Sequence, residues 1–245
     1  LSDANNTSSV TFEFSEAPTG FTLADVTAAG GTLSGLSGSG TSYSATFQAM
    51  DGVEMTGSVS VAADSYTDAV GNPGAAGSDT VAIDTKNPTV SVSIVDASLN
   101  DTDNVSNVTF TFSEAVADFA LADVTAVGGI LADFSGSGNF YTATFTATDG
   151  IETTGSVSVA VASYTDAVGN LGEAGSDSVT IDTLNPTLTV AIVDAALNDS
   201  DNVSNVTFTF SETPTGFTLD DVTAVGGTLS AFSGSGTSYS ATFTA

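Results

Sequence analysis

Twenty-nine carboxylates, one basic residue and no histidine or cysteine leave this 245-residue chain little side-chain chemistry beyond that of oxygen. Without imidazole there is no ordinary proton shuttle near neutral pH, and without a thiol no soft nucleophile. Lys86 alone cannot build a phosphate or oxyanion clamp. Paired carboxylates can hydrolyse glycosides. Such an enzyme also needs an aromatic groove, and the chain has no Trp, while its Phe residues are expected on inward strand positions. What remains is coordination of a hard cation. Calcium takes about six to eight oxygens from carboxylates, Asn side chains and backbone carbonyls. Magnesium demands stricter octahedral geometry, and zinc prefers the Cys and His that are absent.

Three segments supply such oxygens repeatedly. The first is Asp84-Thr85-Lys86-Asn87-Pro88, which returns as Asp182-Thr183-Leu184-Asn185-Pro186. The second couples Glu114 to Asp166-Ala167-Val168-Gly169-Asn170, where glycine permits a tight turn that folds carbonyls inward; Glu212 occupies the position of Glu114 in the next copy. The third carries Asp96, Asp101 and Asp103, repeated as Asp194, Asp199 and Asp201, with a D-x-D spacing that lets two carboxylates converge. Taken singly, each Asp is as readily a turn-former as a ligand, because Asp and Asn side chains bond nearby amides. For Asp123 and Asp221 the alternatives are ligand and N-cap of a short turn, with capping favoured, while Asp133, Asp177 and Glu173 are read as solvent-facing. The sequons at Asn104, Asn107, Asn202 and Asn205 are chance products of composition, and the outward rows such as Thr109 and Thr111 reflect strand propensity.

The elements that must position these acids recur as well. Glu16, Glu114 and Glu212 stand 98 residues apart in matching contexts, and Asn100–Glu114 returns from Asn198 with one change, Thr102 to Ser200. That period is too long for a solenoid unit and suits a whole small domain. The expected domains are 1–83, lacking a first strand, 84–181, complete, and 182–245, lacking its last strands. A window on a longer repetitive polypeptide is the simpler account of those ends; half-domains completing one another through donated strands is the bolder one.

Within the complete copy, period-2 alternation marks Val90–Ile94, Val108–Phe112, Tyr141–Phe145, Val157–Val161 and Ser178–Ile181. Turn signals at Gly128-Gly129, Gly136-Ser137-Gly138, Asp149-Gly150 and Gly169-Asn170 separate them. One helical turn is expected within Phe119–Val124. About seven strands per copy predict an all-β chain of tandem immunoglobulin-like sandwiches. With seven strands alternating in direction, the 96–107 loop falls at the pole of Asp182, and the 166–175 loop at the opposite pole with Glu114. The acids therefore gather where neighbouring domains meet.

Composition agrees with a folded array. Hydrophobic content of 41% excludes an acidic disordered tail, while a net charge of −28 excludes nucleic acid and anionic membrane surfaces as partners. No apolar stretch is long enough for membrane insertion. The absence of Cys excludes disulfide staples, so a bound metal is the expected substitute. An extracellular setting in a calcium-containing medium fits this composition.

The run Phe112–Ala147, followed by Ser163-Tyr-Thr-Asp-Ala-Val-Gly-Asn-Leu-Gly172 and Ile181-Asp-Thr-Leu-Asn-Pro-Thr187, resembles the bacterial Ig-like domains of giant biofilm-associated and repeats-in-toxin surface adhesins. The resemblance covers the whole chain. It implies a calcium-binding sandwich on the bacterial cell surface, an extender whose partners are the neighbouring repeats of the same chain; a self-assembling filament or sheath segment, with lateral or end-to-end self-association, is the rival expectation. The third copy stops before any TDAVGN loop, so that site has no counterpart there.

Overall fold

A computed structural model describes all of residues 1–245 and resolves the chain into two units, Leu1–Thr183 and Leu184–Ala245. The first unit holds two repeats and the second unit the third. In the first repeat the strands are β1 (Thr7–Glu13), β2 (Val26–Ala29), β3 (Gly31–Ser39), β4 (Ser42–Ala49), β5 (Glu54–Val61) and β6 (Gly77–Asp84). The second contains β7 (Val90–Ile94), β8 (Ser98–Asn100), β9 (Val105–Phe112), β10 (Val116–Ala117), β11 (Val124–Val127), β12 (Gly129–Ser137), β13 (Phe140–Ala147), β14 (Glu152–Val159), β15 (Thr165–Asp166) and β16 (Gly175–Asp182). The third contains β17 (Leu188–Ile192), β18 (Val203–Phe210), β19 (Thr228–Ser235) and β20 (Ser238–Thr244).

The second repeat shows how the alternation becomes a sandwich. Its main sheets have the orders β12-β13-β9-β7 and β11-β14-β16-β8, with β10-β15 as a small ribbon beside them. Val108, Phe110 and Phe112 on one face of β9 are almost fully buried, as are Phe145, Val157, Val159, Val179 and Ile181 from facing strands. Each such side chain contributes roughly 1.5–3 kcal/mol of transfer free energy. Phe119 stands among rings from several strands, with edge-to-face contacts to Phe110, Phe112, Tyr141 and Tyr164. Phe140 is an exception to the inward placement expected of Phe, being half exposed where β13 begins.

The expected helical turn is a 3-10 turn at Leu121–Asp123. Asp123 caps it from inside rather than as the N-cap residue, its carboxylate accepting the Ala120 N–H at 2.8 Å. Asp221 does the same for Thr218. Asp177 departs further from expectation. It is half-buried and accepts the Ile94 N–H at 2.8 Å, tying β7 to β16 across the sandwich. Asp133 and Glu173 are exposed.

The last strand pairs in parallel with β8, setting Asn100 beside Asp182. Leu1 plays the part of β8 in the first repeat, bonding backbone to backbone with Ala82 and Asp84. The first repeat has no counterpart of β7: its sheets are β1-β4-β3 and β2-β5-β6. The third repeat forms one sheet, β17-β18-β20-β19.

Candidate metal centre between the first two repeats

Three acidic side chains converge within the first unit: Asp84, Glu114 and Asp166 each place a carboxylate oxygen within 4.8 Å of the others'. Each comes from a different element. Asp84 ends β6 and begins the linker, Glu114 follows β9, and Asp166 ends β15 at the mouth of the TDAVGN turn. Asp166 is 2% exposed and Asn170 fully buried. The turn is built on Asp166, whose Oδ1 accepts the N–H groups of Val168, Gly169 and Asn170 at 2.7–2.9 Å. Gly169 has φ 94, a conformation that favours glycine. With Oδ1 committed, Oδ2 accepts from the Asn170 amide at 2.7 Å.

Asn170 bridges the repeats. Its Oδ1 accepts the Asp3 N–H at 2.8 Å, and its Nδ2 donates to the Asp84 carbonyl at 2.9 Å. The rest of the linker is pinned as well. Thr85 is buried; its hydroxyl donates to Met50 O and accepts the Val53 N–H. Pro88 O accepts from Tyr164 Oη at 3.0 Å and from the Glu173 N–H at 2.9 Å. Burial, then the charge of Glu173, push the Tyr164 phenol up to about 12. Asn87 Oδ1, in the same linker, is buried and accepts no hydrogen bond.

The electrostatics are one-sided. Glu114 is held above the ordinary carboxylate range by burial first, then by Asp84, Asp166 and Glu54, with Lys86 a weak counterweight. Asp3 is raised by burial, by Asp51, and by Asp166 and Asp84. Asp68, the counterpart of Asp166 in the first repeat, moves the other way. Hydrogen bonds from Asn72, Val70 and Gly71 hold it below its usual value. Two carboxylates 4–5 Å apart near a surface repel by a few kcal/mol, on the order expected at an effective dielectric of about 20. The donors are hard oxygens, which fits calcium or magnesium better than zinc.

The other sequence-derived candidates fall elsewhere. Asp101 and Asp103 are exposed in a tight turn where Asn100 Oδ1 accepts from Thr102 and Asp103. Asp96 is half-buried, its N–H donated to Ser106, and does not join them in an acidic trio. In the third repeat Asp194, Asp199 and Asp201 are exposed, and Glu212 is half-buried after β18. Asp182 is exposed at the end of β16. Asp3, Asp51 and Glu54 were missed, although the 98-residue period marks them: they are the first-repeat counterparts of Asp101, Asp149 and Glu152.

The family model for bacterial Ig-like domains matches residues 1–83, 84–183 and 182–245. The chain belongs to the bacterial Ig-like domain family. Among solved structures, these Ig-like repeats are similar to invasin, a bacterial integrin-binding protein, at 13% identity and TM-score 0.37, over 99% of this chain and 51% of that one. They are also similar to InvD of Yersinia pseudotuberculosis, at 21% identity and TM-score 0.33, over 84% of this chain and 64% of that one. The chain thus spans about half to two thirds of the length of those structures. No curated protein sequence matches it.

Proposed function

We propose that this chain is an extender segment of a large bacterial cell-surface adhesin, a non-enzymatic string of Ig-like domains stiffened by calcium at the repeat junctions. The observation that carries this reading is the trio Asp84, Glu114 and Asp166, drawn from the linker and the domain after it. A divalent cation there offsets repulsion that the single lysine cannot, and the buried, unpartnered Asn87 Oδ1 shows a linker with acceptor capacity to spare. Because the ligands come from both sides of the linker, ion binding holds one domain at a fixed angle to the next. Binding energy becomes folding energy by the same convergence. Display outside the cell, where calcium is abundant, follows from this role.

Calorimetric titration of the metal-free chain with calcium tests the site. We expect binding that weakens at least tenfold in Asp84→Asn and in Glu114→Gln, whose shape is kept and charge removed. Equal affinity in both variants would place the ion, and the mechanism, elsewhere.

A further inference from the structure

The chain enters the second repeat through Pro88 and leaves it through Asp182. Between β7 and β8 lie only Val95, Asp96 and Ala97, and the two strands together run beside β16 in the same direction. At the entry, Pro88 O accepts the Glu173 N–H at 2.9 Å, just before β16 begins. A Cβ on Gly175 would stand 2.6 Å from Val90 O, so β16 starts pressed against β7. Further along, Ile94 N–H donates to Asp177 at 2.8 Å and Thr180 N–H to Ala97 O at 3.2 Å. The parallel register of Ser98, Leu99 and Asn100 with Thr180, Ile181 and Asp182 completes the line at the exit.

This arrangement decides how the repeat bears a pull along the chain. Tension draws Pro88 and Asp182 apart, which slides β7 and β8 lengthwise against β16. The bonds between them lie across the direction of pull and resist together, whereas a hairpin opened from one end yields its bonds in turn. The antiparallel ladder of β7 with β9, from Val90 to Ile94, is loaded lengthwise as well. Val90, Val92, Ile94 and Leu99, all buried, must leave the core in the same event.

Two of the ties are side chains placed where backbone does not reach. β7 belongs to the sheet of β9 and β16 to the other, so the two strands share no ladder. Asp177 spans that gap, with one oxygen on Ile94 N–H and the other on Ser178 N–H of its own strand. Tyr164, 2% exposed, does the same at the entry, its hydroxyl 3.0 Å from Pro88 O and 2.9 Å from Glu173 O. We propose that β7, β8 and β16 form a shear clamp against end-to-end tension, with Asp177 and Tyr164 bearing load across the sandwich. The tension rests on the extender reading; the clamp itself needs no calcium.

Optical tweezers on the whole chain, in excess chelator, test the clamp apart from the calcium site. Cysteines appended at both ends give unique handles, because the chain has none of its own. Unfolding of the second repeat is recognised by a release of about 30 nm, the length of Pro88–Asp182 drawn straight less its folded span. Under constant load, Tyr164→Phe and Asp177→Ala should each shorten its lifetime about five- to tenfold, the worth of one hydrogen bond in the barrier. Phe134→Ala is the contrast, since β12 lies at the opposite edge of the sheet from β7. It should lower the denaturant midpoint by more than either, yet leave the loaded lifetime within about twofold of the parent's, because its contacts outlast the clamp. Loaded lifetimes that merely follow denaturant stability across the three variants would overturn the proposal. Tyr164→Phe keeps the ring and loses only the hydroxyl, so a loaded lifetime equal to the parent's in that variant would overturn it too.

Discussion

Asn170 illustrates how much one side chain carries at the junction. It closes the turn through Asp166, accepts from the first repeat at Asp3, and donates to the linker at Asp84. Truncation leaves buried groups unpaired, so Asn170→Ala should destabilise the first unit by about 2–3 kcal/mol, read from denaturant midpoints. The carboxylates predict a pH dependence with a definite sign. Glu114 and Asp3 have folded-state values raised above their ordinary ones. Between the ordinary and the raised value the folded state therefore holds more protons than the unfolded, and stability falls as pH rises through that window. Asp68, lowered, contributes stability above its unfolded value that is lost as pH falls through its folded one. The metal-free chain should thus gain thermal stability on acidification through the window between the raised folded-state values of Glu114 and Asp3 and their ordinary ones, before losing it at lower pH. Glu114→Gln should flatten the gain. In calcium the trend should reverse, because protons then compete with the ion for the same oxygens. A metal-free melting temperature that falls steadily from pH 7 would contradict the burial and repulsion assigned to Glu114.

Strands and turns were legible because their signal is local. Alternation in Val108–Phe112 puts three apolar side chains on one face whatever lies opposite, and that face is the core. Phe119 is a test of that core: Phe119→Ala empties the centre of the aromatic cluster and should cost about 3–5 kcal/mol in the second repeat. What stayed hidden depends on register between elements distant in sequence. Asp177 looks like any exposed acid until the β7–β16 approach places Ile94 N–H against it. Phe140 precedes the buried Tyr141, Ala143 and Phe145 by an odd step, so the alternation of β13 itself turns it outward. Asp84, Glu114, Asp166 and Asn170 were legible as a group because the period fixed the loop order and strand parity fixed the pole. Asp96, Asp101 and Asp103 were chosen for spacing alone, and spacing does not say that Asn100 will fold the turn so that the two carboxylates point to solvent.

At the scale of the whole molecule, the net charge of −28 is felt most where Asp84, Glu114 and Asp166 press like charges together between the first two repeats. The linker answers part of this with hydrogen bonds from Thr85, Asn170 and Tyr164. In the proposed role, a divalent ion at Asp84, Glu114 and Asp166 would relieve the remaining repulsion and so stiffen the linker between the first two repeats. Small-angle X-ray scattering of the chain, titrated from excess chelator to millimolar calcium, addresses that claim most directly. The account predicts that the maximum dimension lengthens and the profile becomes rod-like with calcium, and that Asp84→Asn blunts the change. Superimposable profiles with and without calcium would contradict it, and would reduce the junction acids to ordinary charged turns.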